Sequence, residues 1–270
     1  MKNCHIFTLG ASLIVNASKD SNISENIKNI LKNWLNRVPG SDEDLKTKSE
    51  FVSMKSQIMD ELLNILSKDP IKNSAELNAY INFIEEYPEY KANKIILYPT
   101  ATGLGFVVKE ILIEYIRNSL NINDVEVIQV NNFGKGPEYF DAAILELIDK
   151  LSNRIPKLKS DYLIFLNLTG GFKPEISITL IAGALFDINQ AYYIYERFNK
   201  IVSLPILPLK IDNNILDIIN NTFKGRQLIP VPEISQEDFD ELWSRGLIVH
   251  QERTNTIKLR AWVRKIINIL

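Results

Sequence analysis

Residues 162–175 read YLIFLNLTGGFKPE. Tyr162 to Leu166 is almost wholly apolar, as expected of a strand covered by helices on both faces. Gly170-Gly171 then turns the chain, Pro174 suits a first helical turn, and Glu175 to Phe186 is a helix of small and apolar residues. A buried strand passing through a glycine turn into a helix is half of a βαβ unit, and the same rhythm repeats outward from it. Lys94–Tyr98 is a strand followed by a helix over Phe106–Leu120. Val125–Val130 is a strand followed by a helix over Glu138–Leu151. Ala191–Tyr195 is the next strand, and Ile201–Leu204 pairs with it through a tight turn near Asn199. Such alternation predicts an α/β fold with a doubly wound, mainly parallel sheet.

Toward the N-terminus the first strand is Cys4–Leu9, ending at Gly10. Ile23, Ile27, Ile30, Leu31, Trp34, Leu35 and Val38 fall at helical spacing until Pro39-Gly40 stops them. Residues 41–50 are mostly charged and polar and read as a surface connection. Phe51 to Leu66 forms a second helix, and Ser74 caps a third carrying Leu77, Ile81 and Ile84. A helical insertion over about 21–90 therefore separates the first two strands. Pro205 and Pro208 break the pattern at the other end, placing a boundary near 208. Beyond it come helices over Ile215–Phe223 and Gln236–Ser244, a hairpin of Leu247–Val249 with Thr256–Leu259, and a helix over Arg260–Leu270. That order predicts a small winged-helix-like α+β domain over 208–270.

The 270 residues carry 31 basic and 33 acidic side chains, a balance that excludes a general nucleic-acid coat. The single cysteine, Cys4, can form no intrachain disulfide, and a cytoplasmic location is the simplest reading. The opening MKNCHIFTLGASLIV makes a poor signal peptide, and no window has the apolar length of a membrane span. With only His5 and His250 beside that cysteine, a thiolate or poly-histidine zinc site is not available. From residue 208 onward, nine basic residues face eight acidic ones. The stretch from Arg253 is basic only, which reads either as a phosphate-facing wing or as a solvated or dimer-forming face around Trp262, Ile266 and Ile267.

Ligands of open parallel sheets bind at the carboxyl ends of the strands. Four polar, glycine-rich loops leave those ends: Thr8 to Ser12 with Gly10 and Ala11, Pro99 to Gly105 with Thr100, Thr102 and Gly103, Asn131-Asn132-Phe133-Gly134-Lys135-Gly136, and Asn167 to Glu175 with Thr169, Gly170, Gly171 and Phe172. In the last loop the glycines allow close approach of the backbone. The following helix start offers free amides and a positive dipole end, and Lys173 adds a charge. Together these describe a phosphate site; the other reading is a tight turn whose glycines serve packing, with Lys173 in solvent. Ser12 either contacts a phosphate or ribose or caps a helix. Thr102-Gly103-Leu104-Gly105 lacks the third glycine of a dinucleotide fingerprint, since Val108 stands there. A Walker A motif is absent because Pro174 follows Lys173. Arg245 and His250 share the R-x4-H spacing of helical ribonucleases, but the residues between them read as a strand. His5 reads as a strand histidine near the core.

Thr8-Leu9-Gly10-Ala11-Ser12-Leu13 and Asn167 to Glu175, with the loop and helix from Asn132 to Phe140 between them, resemble the signatures of CRISPR-associated Rossmann-fold (CARF) domains. The resemblance covers residues 1–207. It implies a Rossmann-like fold and a homodimer that binds a cyclic oligoadenylate second messenger across its two-fold face, with a four-membered ring matching that symmetry. It also resembles ring nucleases, in which a ribose 2′-hydroxyl attacks its own phosphate without a metal or cofactor. It then implies that Lys173 stabilises charge and Ser12 positions phosphate and ribose. It further implies that Gly170 and Gly171 lend amides, with Gly10, Ala11, Thr100, Thr102, Gly103, Asn131, Asn132, Phe133, Asn167, Thr169 and Phe172 around the ligand. The alternative is a non-catalytic sensor relaying binding to the C-terminal domain, with DNA a disfavoured partner and no membrane involved.

Overall fold

In the computed structural model the chain divides into two units, residues 1–207 and 208–270. The structure describes residues 1–195, 200–204, 206 and 209–269. The turn expected near Asn199, Pro205 and Pro208 lie outside the described residues.

The first unit opens with β1 (Lys2–Thr8) and the short α1 (Ser12–Ala17). The insertion follows as α2 (Glu25–Leu35), α3 (Asp42–Ser53), α4 (Lys55–Lys68), α5 (Pro70–Asn73) and α6 (Ala75–Glu86). Then come β2 (Lys94–Tyr98), α7 (Gly103–Asn118), β3 (Asp124–Val127), α8 (Phe140–Leu158), β4 (Tyr162–Asn167), α9 (Lys173–Leu185), β5 (Gln190–Tyr195) and β6 (Lys200–Leu204). Strand order is β3-β2-β1-β4-β5-β6, parallel except for the antiparallel β5–β6 pair. The chain winds outward in both directions from β1 and β4, which makes a Rossmann-like, doubly wound sheet.

Alternation along the strands assigns the two faces. Phe7, Ile95 and Leu97 pack into one core with α1, α2, α4 and α7, through Leu13, Ile27, Trp34, Leu62 and Ile111. His5 lies on the same face, stacked on Phe165 and fully buried. On the opposite face Leu166 lies against Gly183 of α9.

Three expectations need correction. Residues 41–50 are helix, not connection: Ser41 caps α3, and Asp44 and Thr47 are buried. The charged run is amphipathic only through polar residues, so hydrophobic periodicity does not register it. Val38 lies beyond the helix and is exposed. Helix α8 runs on through Pro156 to Leu158, because Ile155 and Leu158 are buried and offset the hydrogen bond that proline removes.

The second unit contains α10 (Asn213–Phe223), β7 (Leu228–Pro230), α11 (Gln236–Ser244), β8 (Ile248–Gln251), β9 (Thr256–Leu259) and α12 (Ala261–Ile269). Its sheet has the order β7-β9-β8 and is antiparallel. Strand β7 was not expected from sequence; three residues ending in proline carry too little periodicity. Ile219, Phe223, Ile229, Leu242 and Ile257 form the core, with Trp262 and Ile267 packed against it. Arg245 ends α11 and pairs with Glu241, whereas His250 sits on β8, so the R-x4-H spacing is not carried on one helix.

Candidate functional site

The winding reverses between β1 and β4, so the loops leaving their carboxyl ends diverge and open a crevice there. The two loops are in close contact. The Thr8 hydroxyl donates to the Gly170 carbonyl. A side chain on Gly10 would meet Gly171 N at 2.9 Å, and Gly171 itself has φ +104°, a conformation open to glycine.

The rim carries a pattern that loop sequences alone do not show. Each of the four loops gives a backbone N–H to a carboxyl group of the protein itself. Gly10 N donates to Glu76 Oε1 at 2.7 Å, and Gly103 N to Asp44 Oδ2 at 2.8 Å. Asn131 N donates to Glu146 Oε2 at 2.8 Å, and Phe172 N to Glu175 Oε2 at 3.3 Å. The first two carboxylates come from the helical insertion and are buried. They take donor positions that a phosphate would otherwise use.

The fourth loop differs. Glu175 is fully buried, and its Oε1 has no hydrogen-bond partner. Burial pushes its carboxyl up to about 8, against a smaller lowering by the Phe172 amide. Near neutral pH this group is uncharged, so it leaves the positive end of α9 uncancelled. Lys173, the first residue of α9, is exposed and has no ion-pair partner among the described residues. Positive charge on the rim therefore sits at 171–173 and at Lys135 of the third loop, whose ammonium lies over the Tyr139 ring.

The expected site residues separate into groups. Gly10, Ala11, Thr100, Thr102, Gly171 and Phe172 line one cleft of about 190 Å³, together with Pro39 and Asp44. Gly170 is buried beneath it. Thr169 Oγ1 accepts from Ile194 N. Asn131 and Asn132 give their side-chain amides to Glu146, and Phe133 is buried against Phe140. Two expectations are corrected. Asn167 is fully buried, with its amide donating to the Glu76 carbonyl and its Oδ1 accepting from Thr169 N. Gly103 is buried and its N–H is already taken by Asp44. Neither offers a group to a ligand.

Ser12 is the first residue of α1 and does not cap it. Its hydroxyl donates to Glu76 Oε2 at 3.2 Å and accepts from Ala75 N at 3.0 Å. With its one proton spent, it retains a single lone pair and can only accept from a ligand. It lines a separate groove with Asn16, Lys72, Asn78 and Ile194.

Sequence reasoning missed Pro39, Asp44 and Glu76 and passed over Glu175. Ser41 followed by three acidic residues is a helix-start signal that locates α3, but nothing in the sequence says which loop its carboxylate reaches. Among the described residues no group of three or more His, Cys, Asp or Glu side chains is placed to hold a metal ion, and no helix is long and apolar enough to cross a membrane.

A family model described as CRISPR-associated protein (Cas_APE2256) matches residues 71–207, just over half of the chain. The chain belongs to this CRISPR-associated family. The Cas_APE2256 match takes in α6 and every strand of the main sheet but β1, and it omits Pro39 and Asp44. Among solved structures, Can2 from Sulfobacillus thermosulfidooxidans, determined in complex with cyclic tetra-adenylate (cA4), is similar at 13% identity with a TM-score of 0.32. The similarity covers 71% of this chain, which spans 59% of that one.

Proposed function

We propose that this protein is a cytoplasmic homodimer that binds a cyclic oligoadenylate, with cyclic tetra-adenylate the ring of matching symmetry, and cleaves it without a metal. The observation that carries the reading is the contrast along the rim. The first two loops give their amides to buried carboxylates of the insertion, while the Gly171–Lys173 turn keeps a helix N-terminus, an uncharged Glu175 and a lysine without an ion-pair partner among the described residues. A phosphodiester fits that position, and membership of a CRISPR-associated family fits the messenger.

In the proposed reaction the ribose 2′-oxygen attacks its own 3′-phosphorus as the bond to the neighbouring 5′-oxygen breaks. The 2′-hydroxyl loses its proton, the 5′-oxygen gains one, and the product ends in a 2′,3′-cyclic phosphate. Lys173 lies against the phosphate and stabilises the charge that develops there, with the Gly171 and Phe172 region supplying dipoles. Ser12, restricted to accepting, orients the attacking hydroxyl.

The second reading is a sensor that binds the ring intact. It is favoured by Ser12 and Phe172 lining different clefts. Incubation of the full chain with labelled rings of several sizes, with and without EDTA, decides between them. Chelator-resistant linear products ending in cyclic phosphate support cleavage. Tight binding of an unchanged ring supports the sensor, and no binding of any ring removes both.

A further inference from the structure

The cleft of about 190 Å³ is too small for a whole nucleotide and suits one ring system. Its walls are unlike a phosphate site. Leu9, Pro39 and the exposed ring of Phe172 give it flat apolar sides. A planar heterocycle stacks well on such surfaces.

Its polar groups can be counted. Asp44 Oδ2 accepts from both Gly40 N at 2.9 Å and Gly103 N at 2.8 Å. Asp44 Oδ1 has no partner among the described residues, nor is it among the polar atoms sealed from solvent. One carboxylate acceptor therefore remains on a residue that is only 2% exposed and lines the cleft. Thr100 and Thr102 bond each other through their hydroxyls at 3.1 Å, and Thr102 Oγ1 also accepts from Gly105 N at 3.0 Å. Two hydroxyls hold two protons, and the mutual bond uses one. Whichever hydroxyl donates in that bond, one O–H is left over to donate.

The cleft thus offers one acceptor, one hydroxyl donor, flat walls and a negative charge that repels phosphate. Adenine presents an amine donor beside a ring-nitrogen acceptor, whereas guanine presents a carbonyl in place of the amine. We propose that this cleft is a nucleobase subsite in which Asp44 Oδ1 accepts from the exocyclic amine of one adenine and the Thr100–Thr102 pair donates to the adjacent ring nitrogen. The assignment rests on the reading of the ligand as a cyclic oligoadenylate. It gives the insertion a specificity role, through a residue outside the span matched by the family model.

The test measures equilibrium binding of three rings to the full chain: cyclic tetra-adenylate, its analogue built from purine riboside, which lacks the amine, and its inosine analogue. Wild type should bind both analogues at least about tenfold more weakly, the usual cost of losing one base-edge contact. Asp44→Asn can keep its carbonyl on Gly40 and Gly103 and turn its NH2 into the cleft, so the preference for adenine over hypoxanthine should collapse or invert. Circular dichroism checks that the variant is folded. If it is not, the double variant Thr100→Val with Thr102→Val, which removes both hydroxyl donors, serves instead, with weaker binding of the adenine ring expected. Equal binding of the amine-less ring by wild type, or an unchanged adenine-to-hypoxanthine ratio in folded Asp44→Asn, overturns the subsite. A wild-type protein that binds no ring overturns the ligand reading instead. Adenosine against purine riboside, titrated into the same protein, then still decides the subsite.

Discussion

Lys173 and Glu175 stand two residues apart and keep the same spot positive by different means. The lysine adds a positive charge at the start of α9, and the buried, uncharged glutamate withholds a negative one. Lys173→Ala should lower the ring-cleavage rate by roughly 10²–10³, the usual cost of losing one charge aimed at a transition state. Binding should weaken less, and the melting temperature should barely move, since the side chain is exposed. A folded variant that cleaves at the wild-type rate takes the lysine out of the mechanism. For Glu175, the folded chain keeps the proton up to about pH 8, whereas the unfolded chain releases it near 4.5. Between those values the folded state holds the extra proton, so stability falls as pH rises across the window. Thermal melts from pH 5 to 9 should show this decline in wild type, of order 2–5 kcal/mol at most, and a flatter profile in Glu175→Gln. Ring binding should weaken above about pH 8 in wild type, as a carboxylate then cancels the helix dipole, and stay level in the glutamine variant.

Helix α6 does more than cover the sheet. Ser74 caps it, and Glu76, near its start, holds Gly10 N and the hydroxyls of Ser12 and Ser74. The same residue's carbonyl anchors Asn167, so one helix start ties the β1 loop to the end of β4. Glu76→Ala would leave buried donors without partners and should cost about 3 kcal/mol. That corresponds to a fall in melting temperature on the order of 6–12 °C. Glu76→Gln keeps an acceptor and should recover part of the loss. A melting temperature unchanged in Glu76→Ala would show that the latch contributes nothing.

The two units call for separate accounts of function, and the C-terminal one carries its own evidence against DNA. In a winged-helix arrangement the helix before the hairpin enters the groove. Here that position is α11, with Glu237, Asp238, Asp240 and Glu241 and no basic residue within its bounds. Phosphate repels such a face. A gel shift with the full chain on upstream promoter DNA at physiological salt should therefore show no sequence preference. A clear preference, lost on competition with its own site, would overturn this reading.

What the residues determine alone is the order of elements and the place of the rim. Tyr162–Leu166 is short, nearly all apolar and bounded by a glycine turn, as a covered strand is, and glycine turns at strand ends announce themselves by composition, so the sheet and loops were legible in the sequence. Local chemistry likewise placed the cap at Ser74. The occupancy of the loops was not legible. Asp44 meets Gly103 across 59 positions and Glu76 meets Gly10 across 66, and both sit in segments whose polarity reads as solvent-facing. The spare valence of Ser12, the uncharged state of Glu175 and the lone free oxygen of Asp44 follow from who reaches whom in space. A hydrogen bond or a desolvated carboxyl depends on three-dimensional neighbours that no local pattern encodes, and only the packed insertion decides which rim donors are left for a ligand.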